Sequence, residues 1–248
     1  AFGAAPLPGG GVAVMGGSGY AGLNSFLRAF DNRGNPLWER TWSEEDGYLP
    51  GGVCGTDHGV AVFMARTDAD SSHIFFLDEN GEEYLEMRTE AEFYPGTFSI
   101  CDTEEGYFAC FITRREGQSG VATVTMDMDG GVLEYREFDP EMLVLDVLVE
   151  EDRGIILAGA GTADGANLAV IERWDISGER LWRRTLQGYG EDGFTAVSPG
   201  MDGGYVLTGY AISDQASGPS GGVLVRTDEE GMVQGGNTGS SIPLGSMR

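Results

Sequence analysis

The stretch DGGYVLTG at residues 202–209 and the stretch GGVLVRTDEEG at residues 221–231 carry two landmarks that decide the fold. The first landmark is Gly204, which opens an apolar run rich in β-forming residues. The second is an Asp-x-x-Gly turn from Asp228 to Gly231. This turn suits a tight hairpin, because aspartate can hydrogen-bond its own backbone and glycine accepts a positive φ. The two stretches therefore predict β-strands joined by tight turns.

Both landmarks recur along the whole chain in constant phase. The opening glycines are separated by 48, 47, 48 and 50 residues, and they are Gly11, Gly59, Gly106, Gly154 and Gly204. The turn aspartates are separated by 47, 49, 48 and 53 residues, and they are Asp31, Asp78, Asp127, Asp175 and Asp228. Two landmarks that stay in step over five units indicate an internal repeat, which must be recognised before any other feature is interpreted.

Each unit reads as four short strands, which we name A to D. Strand A precedes the landmark glycine, strand B follows it, strand C ends at the turn, and strand D carries an aromatic residue in four units: Trp38, Tyr84, Tyr135 and Trp182. A four-stranded period of this length is typical of propellers, whereas the coils of β-solenoids are shorter. The predicted fold is an all-β β-propeller of five four-stranded antiparallel blades, with six blades as the alternative if the sequence is truncated.

The repeat also sets the predicted domain boundaries. One propeller domain spans residues 1–234, followed by a Gly/Ser-rich C-terminal tail at 235–248. The repeats fall at about 1–43, 44–91, 92–139, 140–188 and 189–234. The fifth unit has only Met232-Val-Gln where strand D is expected, without an aromatic, so its blade is predicted to be weak.

The unit at 202–231, echoed by LAVIERWDISGERLW at residues 168–182, resembles the repeats of PQQ-like and WD40-like propellers found in secreted or envelope proteins of bacteria and archaea. The resemblance covers essentially the whole chain, but it is a resemblance of blades rather than of sites. It implies that strand A lines a central channel and that strand D lies at the rim. It also implies an extracellular or cell-envelope location.

Composition narrows the classes of partner. The chain has 15 Lys and Arg against 40 Asp and Glu, a formal net charge of −25. The negative electrostatic field of such a protein repels nucleic-acid phosphates and anionic membranes, so neither nucleic-acid binding nor membrane insertion is expected. No stretch is long and apolar enough for a membrane span. Three cysteines are too few for a disulfide scaffold. We expect a monomer whose partner is a protein or a glycan.

Most matches to catalytic or ligand-binding motifs lack the secondary structure or the further ligands that those motifs require. The G-x-G-x-x-G match at residues 17–22 lies in a predicted B–C loop with no helix after it, and the G-x-S-x-G match at 218–222 lacks a strand-to-helix elbow. The two histidines, His58 and His73, are too few for a zinc site or a Ser-His-Asp triad. Residues 127–131 resemble a calcium-binding loop, but they lack the further acidic ligands that such a loop needs. The same turn also occurs in every unit, which favours a structural role. No cofactor or metal is predicted, with Ca²⁺ as the alternative at this turn.

The variable loops are where binding groups are expected, because rigid scaffolds place them there. The D–A connections are rich in acids, among them Glu44, Glu45, Asp46, Glu90, Glu92, Asp139, Glu141, Glu191 and Asp192. In a propeller the B–C and D–A loops share one face. The predicted ligand-binding residues of these loops are Tyr20, Asn24, Arg66, Asp70, Arg114, Arg115, Asp164, Asn167, Asp214, Tyr48, Tyr94 and Tyr189. Solvated acidic turns with structural tyrosines are the alternative interpretation.

No catalytic constellation is visible, so no catalytic residue is predicted. Asp146 is the one acid within a predicted A strand, at residues 142–149. The sequence favours a non-catalytic extracellular or envelope binding and scaffold module that presents its loop face to a protein or glycan. The alternatives are a glycoside-active enzyme on a five-bladed propeller, which needs converging carboxylates, and a purely structural module of a larger surface protein.

Overall fold

The chain folds as an all-β five-bladed β-propeller with mostly four-stranded antiparallel blades. The structure is a computed structural model, and it describes residues 3–18, 24–66, 72–89, 93–115, 118–151, 154–163, 166–186, 190–201, 203–213 and 220–233. These residues belong to two compact units. Unit 1 comprises residues 1–116 and 122–136, and unit 2 comprises residues 117–121 and 137–248.

Unit 1 holds blades 1, 2 and 3, apart from residues 118–121 and 137–138 of the last two strands of blade 3. Blade 1 contains β1 (Gly3–Pro6), β2 (Gly11–Ser18), β3 (Asn24–Asp31) and β4 (Pro36–Trp42). Blade 2 contains β5 (Tyr48–Thr56), β6 (Gly59–Arg66), β7 (Ser72–Asp78) and β8 (Glu83–Thr89). Blade 3 contains β9 (Phe93–Thr103), β10 (Gly106–Arg115), β11 (Gln118–Asp127) and β12 (Val132–Phe138). A 3-10 turn at Glu44–Asp46 lies between blades 1 and 2.

Unit 2 holds blades 4 and 5. Blade 4 contains β13 (Leu143–Val149), β14 (Ile155–Ala163), β15 (Ala166–Trp174) and β16 (Arg180–Leu186). Blade 5 contains β17 (Gly190–Pro199), β18 (Tyr205–Ser213) and β19 (Ser220–Arg226). In every blade the strands lie side by side in chain order, as expected for hairpin-connected antiparallel strands. The first three strands of each blade match the predicted strands A, B and C.

The Asp-x-x-Gly turn has the same geometry in all five blades. The Oδ1 atom of the aspartate accepts hydrogen bonds from the backbone N–H groups two and four residues later, at 2.7–3.1 Å. The glycine N–H donates to the aspartate carbonyl, and the glycine φ lies between 73° and 84°. Because a carboxylate closes the turn and a residue without a Cβ accepts this φ, the repeated motif is structural.

Alternating side chains of neighbouring blades form the cores. In unit 1, one cluster joins Met15 and Leu27 of blade 1 to Val62 and Phe75 of blade 2. A second cluster packs Phe63 and Phe76 against Phe98 and Phe111 of blade 3, with the ring centroids of Phe63 and Phe111 5.3 Å apart. In unit 2, Ile156 and Ile171 of blade 4 pack against Phe194 and Leu207 of blade 5. Burial of these apolar faces is the main stabilising contribution to each unit.

Blade 5 departs from the other four. Its described sheet has three strands, and β19 is followed only by an isolated bridge between Thr227 and Val233. The described residues end at Val233, where a fourth strand would begin, so the expected weakness of strand D in the fifth unit stays a prediction. The predicted tail at 235–248 lies outside them. Over the described part of the chain, no helix is long and apolar enough to cross a membrane.

Candidate functional site

Unit 2 contains a cleft of about 330 Å³ at the loop ends of blades 4 and 5. We call it the Asp192 cleft. It is lined by Glu141, Met142, Leu143, Ala160, Gly161, Thr162, Asn167, Asp192 and Tyr210. Sites for small molecules usually have volumes of about 300–1,000 Å³, so this cleft lies at the small end of that range.

Blade 5 supplies the buried side of the cleft. Asp192 lies in β17 opposite Ala211 and is only 4% exposed. The next residue, Gly193, lies opposite Tyr210 of β18, and a β-carbon at Gly193 would be 2.8 Å from the Tyr210 hydroxyl. The Tyr210 phenol therefore occupies the space that any side chain at residue 193 would fill. Asp192 and Tyr210 both line the cleft.

Blade 4 supplies the open side of the cleft. Asn167 and Thr162 face each other in the register of the β14–β15 hairpin, and Asn167 is exposed. Glu141 precedes β13, and its side chain is 84% exposed. The cleft thus joins a buried carboxylate to an exposed carboxylate and an amide. Glu141 comes from the D–A segment before β13, Asp192 comes from the start of strand A of blade 5, and Asn167 comes from the B–C hairpin of blade 4.

A buried ion cluster supports the blade 4 wall. The fully buried Glu172 accepts hydrogen bonds from Arg183 at 2.9 Å, from Arg180 at 3.3 Å and from the indole nitrogen of Trp174 at 2.7 Å. The Arg183 guanidinium lies against Gly161, where a β-carbon would be 2.8 Å from Nη2. Because a buried charge is tolerated only when paired and hydrogen-bonded, Glu172 fixes Arg183 behind the cleft.

Unit 1 contains a second group of loop-end residues around Tyr48, which we call the Tyr48 cluster. The Arg66 guanidinium lies 5.6 Å from the centre of the Tyr48 ring, and the buried His73 ring packs edge-on to Tyr48 at 5.2 Å. His73 Nδ1 is 2.7 Å from Oε1 of Glu86. Burial raises the pKa of Tyr48, the nearby Glu86 charge raises it further, and Arg66 opposes both. Two predicted site residues, Tyr48 and Arg66, thus come together here.

The other predicted site residues are less informative. Asn24 is exposed at the start of β3. Arg114 and Arg115 lie at the end of β10 and Tyr94 lies in β9, where the structure describes only the backbone. Five residues fall outside the described ranges, and they are Tyr20, Asp70, Asp164, Asp214 and Tyr189. The structure therefore brings together Tyr48 with Arg66, and Asn167 with the predicted acids Glu141 and Asp192.

The expectation that strand A carries a single acid is wrong. Strand β9 also contains Asp102 near its end, and β17 begins before its apolar run and so includes Glu191 and Asp192. Asp146 itself is 8% exposed. Its Oδ1 accepts from the Val147 amide at 2.9 Å and its Oδ2 from the Val197 amide at 2.7 Å. Asp146 thus has a structural role between blades 4 and 5.

The calcium alternative at residues 127–131 finds no support in the geometry. The Asp127 carboxylate is engaged by the backbone amides of Asp129 and Gly131, as in the other four turns. In the described part of the chain, no group of three or more His, Cys, Asp or Glu side chains is arranged to hold a metal ion.

Comparisons with known proteins agree on the fold. No protein-family model matches the sequence, and no curated protein matches it. Among solved structures, a protein of unknown function from Bacteroides caccae matches with a TM-score of 0.62 and 15% identity, over 94% of this chain and 79% of that one. A mutant of the Synechocystis apocarotenoid oxygenase matches with a TM-score of 0.56 and 12% identity, over 88% of this chain.

The chain spans 61% of that oxygenase, less than two thirds of its length. A GH43 endo-arabinanase from Bacillus licheniformis matches over 91% of this chain at 10% identity, but its TM-score of 0.47 is too low to support an argument. Likeness at these identities shows the fold alone. The chain is a β-propeller protein whose fold resembles that of the Bacteroides caccae protein of unknown function and that of the apocarotenoid oxygenase.

Proposed function

We propose that the chain is a non-catalytic binding module of the extracellular space or cell envelope, and that its Asp192 cleft binds a neutral or amino-bearing glycan. The PQQ-like and WD40-like character of the repeats supports the location. The observation that carries the proposal is the cleft itself, where Asp192, Tyr210, Asn167 and Glu141 line one volume of about 330 Å³.

The chemistry of the lining favours a ligand rich in hydroxyl groups. The carboxylates of Glu141 and Asp192 accept hydrogen bonds only, whereas the Asn167 amide and the Tyr210 hydroxyl both donate and accept. Met142 and Leu143 add apolar surface. A sugar ring presents hydroxyl edges and an apolar face, so it satisfies both kinds of lining. The two carboxylates and the net charge of −25 disfavour uronic acids and other anionic sugars.

A glycan array tests this proposal when it contains neutral, amino-bearing and uronic-acid oligosaccharides. We expect wild-type protein to bind neutral or amino-bearing sugars and not uronic acids. Asn167→Ala and Asp192→Asn should each weaken binding at least tenfold. Glu179→Gln is the matched control, because it removes one negative charge from an exposed side chain of unit 2 outside the cleft.

Two results would contradict the proposal. One is the absence of binding to any glycan by protein that melts cooperatively. The other is equal binding by wild type, Asn167→Ala and Asp192→Asn. Because Asp192 is buried, its variant is compared with wild type by thermal melting first. Asn167 is exposed, so Asn167→Ala keeps the test valid if Asp192→Asn unfolds.

A glycoside-active enzyme is the second candidate, since two carboxylates of unequal exposure share the cleft. Glycosidases use one protonated and one ionised carboxyl group, and different environments set those states. The measurement is release of new reducing ends from each bound oligosaccharide. The binding proposal predicts no release by wild type. Release that Glu141→Gln or Asp192→Asn abolishes would replace binding with hydrolysis.

A further inference from the structure

A second, smaller cavity lies beside the Asp192 cleft in unit 2, and we call it the inner cavity. Its volume is about 30 Å³. Asp192 and Tyr210 line both cavities, so the two are neighbours. The walls of the inner cavity also include apolar residues of blades 4 and 5, namely Ala169, Leu186, Phe194, Ala211 and Val223.

The strands place the inner cavity deeper between blades 4 and 5 than the cleft. Residues two positions apart on a strand have their side chains on the same face. On β15, the exposed Asn167 lines the cleft, and Ala169, which is 3% exposed, lines the inner cavity. On β17, Phe194 is also 3% exposed and follows Asp192 by two residues. Asp192 therefore lies where the polar cleft meets the apolar inner cavity.

The inner cavity suits a methyl group better than a water molecule. One water takes up about 30 Å³ in the liquid, and a buried water needs roughly two to four polar partners. Among the described residues that line this cavity, only Asp192 and Tyr210 have polar side chains. Tyr210 pairs with Gly193 and Asp192 pairs with Ala211, so the Tyr210 side chain leaves its strand on the face opposite to Asp192. The Asp192 carboxylate is thus the polar group on the inner-cavity face.

The substituents of a sugar ring differ in how well they match this arrangement. A hydroxyl group can donate to Asp192, but it brings no apolar group to the inner cavity. An amino group in its charged form also leaves the cavity empty, and it loses its hydration in a buried site. An acetamido group has an N–H donor, a carbonyl acceptor and a methyl group. It therefore matches the Asp192 carboxylate, the Asn167 amide and the apolar walls at the same time.

We propose that the inner cavity holds the methyl group of an acetamido substituent, so that the glycan bound in the Asp192 cleft contains an N-acetylhexosamine. The acetamido N–H donates to the Asp192 carboxylate, and its carbonyl oxygen accepts from the Asn167 amide. The methyl group lies against Ala169 and Ala211. This inference rests on the proposed glycan-binding function and names the class of ligand for the same cleft.

Matched glycans test the inference, because they differ in one substituent only. Each set has one oligosaccharide backbone that carries a hydroxyl, an amino or an acetamido group at carbon 2, in the gluco and the galacto series. Oligosaccharides of 6-deoxyhexoses supply a methyl group without an amide. The full chain is titrated with each glycan by calorimetry. The acetamido member should bind about tenfold more tightly than the others, the effect expected of a small apolar group in an apolar pocket.

Two variants change the inner cavity at residues that do not line the cleft. Ala211→Val places two more methyl groups in the cavity, and valine is favoured in strands, so the preference for the acetamido member should disappear. Val223→Ala enlarges the cavity, so the preference should shift by about tenfold towards an N-propanoyl derivative. Val225→Ala is the matched control, because Val225 is another half-buried valine of β19 that does not line the cavity.

The possible outcomes separate this inference from the proposed function. Tightest binding of a glycan without an acetamido group would overturn the inference and leave glycan binding standing. The absence of binding to every glycan would overturn both. An acetamido preference that persists in Ala211→Val would also overturn the inference. If thermal melting shows that Ala211→Val is unfolded, Val223→Ala decides, and identical preferences of Val223→Ala and Val225→Ala would contradict the inference.

Discussion

The Oδ2 atom of Asp146 accepts a hydrogen bond from the backbone amide of Val197 at 2.7 Å, across 51 residues of sequence. Asp146 belongs to strand A of blade 4 and Val197 to strand A of blade 5, so one buried side chain ties together the inner strands of unit 2. In unit 1, an idealised β-carbon at Gly3 of blade 1 would lie 3.6 Å from the amide nitrogen of Val53 in blade 2. Equivalent strand positions thus face each other in both units.

Asp146→Ala is expected to lower the free energy of unfolding by about 1–3 kcal/mol, because it leaves the buried Val197 amide without its acceptor. Urea denaturation of the full chain measures the change. The control is Asp139→Ala, an exposed acid of the preceding segment, which should stay within about 0.5 kcal/mol of wild type. Equal stabilities of the two variants would contradict the structural role of Asp146.

Glu172→Gln should destabilise the protein by about 1–3 kcal/mol, because it removes the buried charge that Arg180 and Arg183 hydrogen-bond, while both arginines stay partly solvated. It should also weaken glycan binding, since Glu172 fixes Arg183 against the cleft residue Gly161. Chemical denaturation and the glycan titration measure the two effects. A variant as stable as wild type would show that the ion cluster is dispensable.

Two turn glycines form a matched pair for testing how the blades pack. Gly81 and Gly34 have φ values of 80° and 83°, but a β-carbon at Gly81 would lie 2.7 Å from the Trp38 ring. A β-carbon at Gly34 meets no described atom within 4 Å. Both alanine variants incur a backbone cost of about 1–2 kcal/mol, and Gly81→Ala should lose about 1–3 kcal/mol more from overpacking. Equal thermal shifts would show that Trp38 does not pack on this turn.

The turn aspartates predict a stability loss in acid. Hydrogen bonds lower the pKa of three of them: chiefly from the Asn35 side chain for Asp31, from the Glu82 amide for Asp78, and from the Ser177 side chain for Asp175. A lowered folded-state pKa stabilises the protein above the ordinary aspartate pKa of about 3.9, and this stabilisation is lost as the pH falls below it.

The melting temperature of wild type should therefore fall between about pH 4 and pH 2. The triple variant Asp31→Asn, Asp78→Asn, Asp175→Asn should show a shallower decline, because an amide does not titrate there. Asp139→Asn is the single-charge control. Parallel curves for the triple variant and wild type would show that these turns contribute nothing to acid stability.

The sequence predicted the blades because the turn chemistry is local. An aspartate with a glycine three residues later determines the hairpin by itself, and this is why all five turns were located. The acids of strand A were misplaced because Glu191 and Asp192 precede the apolar run that marks β17. Burial of a strand end depends on the neighbouring blade, which a local pattern does not record.

The candidate site was predicted only in part, because a local sequence pattern identifies loop residues but does not show which side chains meet in space. Asn167, Glu141 and Asp192 were recognised as loop or connection residues, and the structure places them in one cleft. Tyr210 was missed because an aromatic residue in a B strand is normally interpreted as part of the hydrophobic core. Its role depends on Gly193 in the adjacent strand. Glu172 was missed as well, although a lone acid in the apolar run LAVIERW was a visible signal.

The most direct test of the binding account is calorimetric titration, at pH 7 and 0.15 M salt, of the tightest neutral or amino-bearing oligosaccharide from the array. The titration compares wild type, Asn167→Ala and Glu179→Gln. The account predicts one site per chain, at least tenfold weaker binding for Asn167→Ala, and unchanged binding for Glu179→Gln. Equal affinities of wild type and Asn167→Ala would show that the ligand does not occupy the Asp192 cleft.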